Sequence, residues 1–348
     1  MAWFYATSTF RCQRRSLNLI IPQQLDNKLM SWVSGQRGLV AYFNCHLSPV
    51  CSKDSAMSRK IRVSGACQTG GIIDSLKIML PHDDVGHLPT PGVSPDDAFD
   101  EEIRTVDIWV TALPDYASED HLSALNPRLQ VLRWPQLYFP AFHPDIVIPS
   151  SGSHVITSMG CVYNSTLALW SWKEGVPVNK AIRLFEKDTL AALGYLDEWD
   201  NSAARMKNDF DACALDFSTF FLAVKRQGVF MHSNLHAKLS PIVHISRQLA
   251  MKMGAKSADV YEPIEDFLAD PLIFDAVWPV YPAIADNLGV PGCFRWKSRE
   301  RHASDLRTYL EISYADYDAQ PIEKDNIHTG RFNPAFDALL TRQLEAAA

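Results

Sequence analysis

The sequence predicts an α/β protein whose open, mostly parallel sheet of about five strands is flanked by helices and followed by a large helical C-terminal portion. Three observations lead to this prediction. Short apolar runs typical of buried strands alternate with helical patterns in the first half of the chain. From residue 162 onward, apolar residues recur mainly at three-to-four spacing, which indicates helices. The composition, 47% hydrophobic and 21% charged residues, is that of a globular protein.

Charge divides the 348 residues into two parts. Residues 1–57 carry six basic and two acidic side chains, whereas residues 58–348 carry 27 basic and 38 acidic ones. We therefore predict an N-terminal extension over 1–57 and an α/β domain over 58–348. Three interpretations of the extension remain open: upstream sequence from a start codon assigned too early, a basic arm for targeting or membrane-surface contact, and an ordered packing segment.

Composition also excludes several classes of function. A net charge of −7 argues against a protein that neutralises nucleic-acid phosphates. The chain has no uninterrupted apolar run of about 18 residues, so no spanning helix is predicted. The seven cysteines form no CxxC pair, and we expect neither a metal site nor a disulfide framework. Free cysteines favour a reducing compartment, and we expect the cytoplasm.

The elements follow from apolar runs and their terminators. Strands are predicted over Lys60–Ala66, Asp107–Leu113 and Leu129–Leu132, with Ile146–Ile148 as a fourth candidate and 229–231 as a further one. Helices are predicted from Ile72 to Leu80, stopped by Pro81, and from the N-cap Ser118 to Asn126. The Pro-, Gly- and Asp-rich residues 82–100 are predicted to form a loop. Later helical patterns cover 167–172, 181–193, 214–224 and 242–253.

The turn that follows the first strand is the most informative segment. Ligands of open parallel sheets bind at the carboxyl ends of strands, where free N–H groups at a helix N-terminus favour an anion. The candidate binding residues here are Gly65, Gln68, Thr69, Gly70 and Gly71. Their spacing, Gly65-x-Cys67-x-x-Gly70, is not GxGxxG, and the chain has no GxxxxGK[ST] motif. Cys67 therefore has three open roles: a nucleophile whose pKa the helix terminus lowers, a ligand contact, or a packing residue.

Three other segments carry polar groups near predicted strand ends. Ser150, Ser151 and Ser153 offer hydroxyl donors for a phosphate or a sugar, or serve as turn and cap residues. His143 and Asp145 flank a proline and form either an oriented acid/base pair or a surface turn. His232, Asn234 and His236 follow an apolar run, and one of the two histidines is a candidate base.

Several segments in order resemble the WcbI-type polysaccharide biosynthesis family. They are Val63-Ser64-Gly65-Ala66-Cys67-Gln68, Tyr138-Phe139-x-x-Phe142-His143-Pro144-Asp145-Ile146, Phe230-Met231-His232-Ser233-Asn234-Leu235-His236, Val277-Trp278-Pro279, Phe294-x-Trp296 and Leu310-x-x-Ser313-Tyr314-x-x-Tyr317. The resemblance covers residues 60–317. The chain departs from the expected family pattern Asn-His-Pro at residues 234–236, which keeps His232 as a second candidate base.

The resemblance implies a parallel α/β fold, binding of coenzyme A or acetyl-coenzyme A as substrate, and acetyl transfer to a sugar hydroxyl of a capsular polysaccharide or exopolysaccharide. Acyl transfer needs a base and donors for an oxyanion. We expect a histidine of 232–236 as base, Cys67 as relay nucleophile or pocket wall, and the Gln68 amide with the N–H groups of 68–71 as donors. Arg62, Lys238 and Arg247 are candidate contacts for the coenzyme's phosphates.

Two alternatives come from other classes of protein. A polar residue directly after the first strand is also the layout of GDSL-type hydrolases, but these have serine there, where this chain has Cys67, and a late Asp-x-x-His for which this chain has no convincing counterpart. The second alternative is a non-catalytic, coenzyme-binding protein of a glycan assembly pathway. The oligomeric state and the acceptor are left open by the sequence.

Overall fold

A computed structural model describes residues 58–346, apart from residues 91, 93 and 114. Four parallel strands form the central sheet: β1 (Lys60–Ser64), β2 (Asp84–His87), β3 (Ile108–Thr111) and β4 (Gln130–Arg133). Their spatial order is β2-β1-β3-β4. The predicted fold class is thereby confirmed. The predictions for residues 1–57 lie outside the described residues and stay predictions.

Two parts of the strand prediction are corrected. β2 lies inside residues 82–100, which were predicted to form a loop. The sequence does not reveal this strand because Val85 is its single buried residue and gives no alternating pattern. The fourth candidate strand does not join the parallel sheet. Its residues Ile146–Val147 (β5) pair antiparallel with Asn164–Ser165, so the parallel sheet has four strands among the described residues instead of about five.

Helices cover both faces of the sheet. α1 (Thr69–Met79) and a later helix, Leu239–Lys252, bury one face together with Ile61, Val63 and Val110. α2 (Asp97–Ile103) and α3 (Glu119–Leu125) cover the other face around Trp109. Ser118 caps α3 by accepting the N–H of His121, as predicted. The alternation of buried side chains along β3 assigns Trp109 to one layer and Val110 to the other.

The remaining elements make up the helical portion and several short ladders. The helices are α4 (Thr166–Lys173), α5 (Val178–Ala181), α6 (Lys187–Ala192), α7 (Glu198–Ala212), α8 (Phe217–Lys225), α9 (Leu239–Lys252), α10 (Ser257–Val260), α11 (Pro282–Leu288), α12 (Leu306–Asp318) and α13 (Pro334–Ala346). The short strands after β5 are β6 (Ser150–Ser151), β7 (His154–Val155), β8 (Asn164–Ser165), β9 (Trp296–Lys297), β10 (His302–Ala303) and β11 (Ile327–His328). Within the described part of the chain, no helix has the length and apolar character that crossing a bilayer requires.

Candidate active site

The turn between β1 and α1 is shaped by close packing at two of its glycines. A Cβ on Gly65 would lie 2.6 Å from Cζ2 of Trp134, so only glycine lets this indole pack against the end of β1. A Cβ on Gly71 would lie 2.9 Å from Cγ2 of Ile242 on α9. The third glycine of the turn, Gly70, faces open space, since nothing lies within 4 Å of the position that its Cβ would take. Gly65 and Gly71, expected to contact a ligand, therefore have a packing role.

Gln68 joins three segments of the site. Its Nε2 donates to the carbonyls of Leu137, at 2.8 Å, and Leu235, at 2.7 Å, and its Oε1 accepts the N–H of Leu137 at 3.1 Å. Because both amide protons are engaged, the expectation that this amide donates to an oxyanion is corrected. Gln68 instead holds the loop of His232 and His236 against the turn of Cys67.

Cys67 lies three residues beyond the carboxyl end of β1, and part of the residue is exposed while surrounding groups crowd its sulfur. Burial of the thiol by surrounding groups, with a contribution from the nearby Asp275 carboxylate, raises its pKa to about 11. Backbone N–H groups of Cys67 and Gln68 oppose this shift but do not outweigh it. The expected lowering of the pKa by the helix terminus is therefore wrong, since desolvation exceeds the effect of those N–H groups. At neutral pH this side chain is a thiol.

His232 is held by a carboxylate. Its Nε2 lies 2.7 Å from Oδ2 of Asp270, and both side chains are largely buried. Burial alone would raise the pKa of Asp270, but the hydrogen bond and charge of His232 and two backbone N–H groups outweigh burial, so the pKa is lowered. The lowered pKa favours the carboxylate form of Asp270, which accepts the proton that His232 carries on Nε2. The ring nitrogen Nδ1 then has no hydrogen-bond partner among the described residues and is free to accept a proton.

His236 contacts a phenol and a second carboxylate. Its Nε2 lies 3.1 Å from the Tyr163 hydroxyl, and its Nδ1 lies 3.8 Å from Oδ2 of Asp275. Burial lowers the pKa of His236, and Asp275 opposes that shift. Burial also raises the pKa of Tyr163, and the neighbouring Cys67 adds to the shift. Tyr163 thus stays a hydroxyl donor close to the thiol.

The loop that carries both histidines is closed on itself. The N–H of His232 donates to the carbonyl of His236 at 2.6 Å, and Ser233 Oγ accepts the N–H of His236 at 3.1 Å. Asn234 accepts the N–H of Phe139 through its backbone carbonyl at 2.9 Å. The side-chain oxygens of Asn234 and Thr69 are buried without hydrogen-bond partners in the described structure. Unpaired buried polar atoms of this kind suit a site that a polar ligand completes.

His143 and Asp145 do not form the expected acid/base pair. The Asp145 carboxylate accepts from Ser165 Oγ, from the Tyr281 hydroxyl at 2.8 Å and from the N–H of Leu167 at 3.1 Å. Burial raises its pKa to about 6 despite these bonds. Burial lowers the pKa of His143 to about 3, so this ring is neutral. Asp145 anchors the start of α4, and no bond joins it to His143 in the described residues.

The predicted serines lie in a different part of the fold. Ser150 and Ser151 form β6, which pairs with β7 and β11. Ser151 Oγ accepts the N–H of Glu323 at 3.0 Å. Ser153 is exposed in the hairpin between β6 and β7. Of these three hydroxyls only that of Ser151 has a hydrogen-bond partner among the described residues, and none of the three bonds to the Cys67 turn, so their expected binding role remains a prediction.

Two of the three expected phosphate contacts are already paired within the protein. Arg62 makes ion pairs with Asp84 at 2.9 Å and Glu102 at 2.7 Å. Arg247 is buried and lies 2.8 Å from Glu265. Neither guanidinium is available to a coenzyme, which corrects that expectation. Lys238 has no ion pair among the described residues, and burial lowers its pKa.

Three further residues of this site, Tyr163, Asp270 and Asp275, were not predicted from the sequence. Asp270 precedes Pro271 at the start of a 3₁₀ turn, a signal that identifies a turn but not its partner. Tyr163 and Asp275 stand in segments with no recognisable motif. Among the described residues, no cluster of histidine, cysteine or carboxylate side chains is arranged to hold a metal ion. The assembled groups are suited to proton transfer and hydrogen-bond donation beside a thiol.

Comparisons with known proteins agree on one family. The family model described as "Polysaccharide biosynthesis enzyme WcbI" matches residues 60–258. A solved structure of WcbI, described as the native protein without a disulfide bond between coenzyme A and one of its cysteines, superimposes with a TM-score of 0.62. It is 15% identical and covers 83% of this chain and 98% of its own, which supports the fold. No curated protein matches the chain.

Proposed function

The chain belongs to the WcbI family of polysaccharide biosynthesis enzymes, and from that premise we propose that it transfers an acyl group from acyl-coenzyme A to a sugar hydroxyl. One observation carries the proposal. The His232–Asp270 pair, with its 2.7 Å bond, is tied by Gln68 to the turn that bears Cys67. An oriented histidine beside a ligand-accessible turn at a sheet's carboxyl edge is the arrangement that acyl transfer needs.

The thioester is proposed to bind beside Cys67 and Tyr163. The solved WcbI structure is described with reference to a disulfide bond between coenzyme A and a cysteine, absent from that native form. This description supports placing the coenzyme's sulfur near the Cys67 thiol. Because its pKa is about 11, we assign Cys67 to the pocket wall rather than to a covalent relay. Direct transfer between thioester and sugar then needs no acyl-enzyme intermediate.

The proposed reaction proceeds in two stages. Nδ1 of His232 accepts the proton of the sugar hydroxyl while its oxygen attacks the thioester carbonyl carbon. The carbon–sulfur bond then breaks, and the imidazolium returns the proton to the departing coenzyme thiolate. Tyr163, held by His236, donates a hydrogen bond to the carbonyl oxygen as negative charge develops there. The products are an acyl sugar ester and free coenzyme A.

The test compares His232→Ala and Asp270→Asn with wild type, using acetyl-coenzyme A and a panel of hexoses, uronic acids and nucleotide-activated hexoses. Loss of a general base lowers turnover about 10²- to 10⁴-fold while coenzyme binding persists. His121→Ala is the matched control, since His121 on α3 forms a 2.8 Å pair with Asp100 on α2, outside this site. Wild-type chain that binds no coenzyme A would refute the proposal, as would unchanged turnover in both site variants.

The cellular setting is also part of the proposal. Cys67, Cys161, Cys213 and Cys293 are all free thiols. Free thiols and an acyl-coenzyme A substrate fit a reducing compartment, so we place the reaction in the cytoplasm. The acceptor is proposed to be a sugar of a capsular polysaccharide or exopolysaccharide.

A further inference from the structure

A hairpin near the C-terminus presents a row of cations. β9 and β10 pair antiparallel and are joined by a short turn over residues 298–301. Trp296 and Ser298 point inward and are buried, whereas Arg295, Lys297 and Arg299 are exposed. Arg295 and Lys297 share the outer side because side chains alternate along extended chain, and Arg299 is exposed in the adjoining turn.

The charge of this row is largely uncompensated. Arg295 and Arg299 have no ion pair among the described residues, and Lys297 Nζ donates only to the Ile273 carbonyl, at 3.0 Å. The neighbouring Arg301 is paired with Asp316 at 2.6 Å. The hairpin lines a cleft of about 720 Å³. Glu300 also lines this cleft, but three of its cations, Arg295, Lys297 and Arg299, have no ion pair among the described residues. On a chain of net charge −7 such a cationic patch favours an anion locally.

The hairpin lies close to the candidate active site. Val277 exchanges two backbone hydrogen bonds with Lys297, at 2.8 and 3.1 Å. The next residue, Trp278, donates its N–H to the carbonyl of His232 at 2.7 Å. Asp275, whose charge acts on the Cys67 thiol, precedes Val277 by two residues, at most roughly 7 Å of chain. One strand spacing of about 4.8 Å separates Val277 from the hairpin.

We propose that Arg295, Lys297 and Arg299 bind the phosphate groups of the coenzyme while its thiol lies beside Cys67. This inference rests on the proposed function. Arginine forks match phosphate oxygens in bidentate geometry, and lysine adds a point charge. The hairpin would thus supply the phosphate contacts first expected from Arg62 and Arg247, whose guanidinium groups form ion pairs within the protein. It also lies beyond residues 60–258, so the match to the family model does not include it.

The experiment measures binding of coenzyme A, pantetheine and inorganic pyrophosphate by calorimetry to the full chain. The variant Arg295→Gln/Arg299→Gln is compared with wild type and with Arg128→Gln. Arg128 is exposed and lies just before the amino end of β4, away from the carboxyl edge of the sheet. Coenzyme A is expected to bind the double variant at least about tenfold more weakly, because each lost charge-assisted bond costs roughly that factor or more.

Pantetheine, which lacks the phosphates, is expected to bind wild type and double variant equally. Wild-type binding of coenzyme A with no loss in the double variant would overturn the hairpin assignment while leaving the proposed function intact. Weakened pyrophosphate binding with unchanged coenzyme A binding would also overturn it, since the cleft would then serve another phosphorylated ligand. Absence of coenzyme A binding in wild type would instead defeat the proposed function itself.

Discussion

Replacing Gln68 with alanine removes the side chain that joins the Cys67 turn to the histidine loop. Three hydrogen bonds disappear, and the carbonyls of Leu137 and Leu235 and the N–H of Leu137 lose their partner. At about 1 kcal/mol for each bond, the cost is roughly 3 kcal/mol if water reaches the freed groups and roughly twice that if it does not. Because whole domains are stable by only about 5–15 kcal/mol, this loss is large.

Urea unfolding of wild type and Gln68→Ala measures that loss as a difference in free energy of unfolding. Gln68→Glu provides a matched variant of the same size. Its carboxylate retains the acceptor for Leu137 but faces two carbonyl oxygens without a proton to donate. We expect Gln68→Glu to be at least as destabilised as Gln68→Ala at neutral pH, and to recover partly in acid when the carboxyl group becomes a donor. A loss below about 1 kcal/mol in both variants would refute the assigned role of Gln68.

Three further predictions concern other parts of the domain. The pKa of Asp145, raised by burial from 3.8 to about 6, makes its contribution to stability full well below pH 4 and lost as the pH rises through 6. The whole loss of about 3 kcal/mol is measured by urea unfolding at about pH 3 and about pH 8, and an equal pH dependence in Asp145→Asn would contradict it. The rate at which Cys67 reacts with iodoacetamide is expected to rise with pH, with a midpoint near pH 11. At pH 8, peptide mapping should show Cys67 reacting far more slowly than the exposed Cys293, and equal rates would contradict the raised pKa of Cys67. Gly71→Ala is expected to lower the free energy of unfolding by about 1–3 kcal/mol, because its methyl group would clash with Ile242. Gly70→Ala is the control and should have little effect, because nothing lies within 4 Å of its Cβ position. Similar unfolding free energies for the two variants would contradict this packing.

Local signals were sufficient for much of the fold. Ile61 and Val63 give a buried strand, Pro81 limits the first helix, and Ser118 caps α3, because each signal acts within a few residues. β2 escaped prediction because Val85 alone of its residues is buried. Its place in the sheet depends on pairing with β1 rather than on its own pattern.

The candidate site shows the same limit more strongly. Cys67, His232 and His236 stand out in sequence, but the partners that set their chemistry come from distant segments. Asp270 and Tyr163 reach the histidines only through the tertiary fold. The pKa of Cys67 shows why: its position before a helix is visible in the sequence, while desolvation of the thiol and the charge of Asp275 are not.

The assignment of the Cys67 turn as the thioester site is tested most directly by a calorimetric titration of coenzyme A into wild type and Cys67→Trp. The indole would occupy the space beside Tyr163 and the His236 ring, where the coenzyme's sulfur is placed. We expect measurable binding of coenzyme A to wild type and loss of that binding in Cys67→Trp, with both proteins unfolding in the same transition. Equal affinity of the two proteins for coenzyme A would contradict the assignment of this turn as the thioester site.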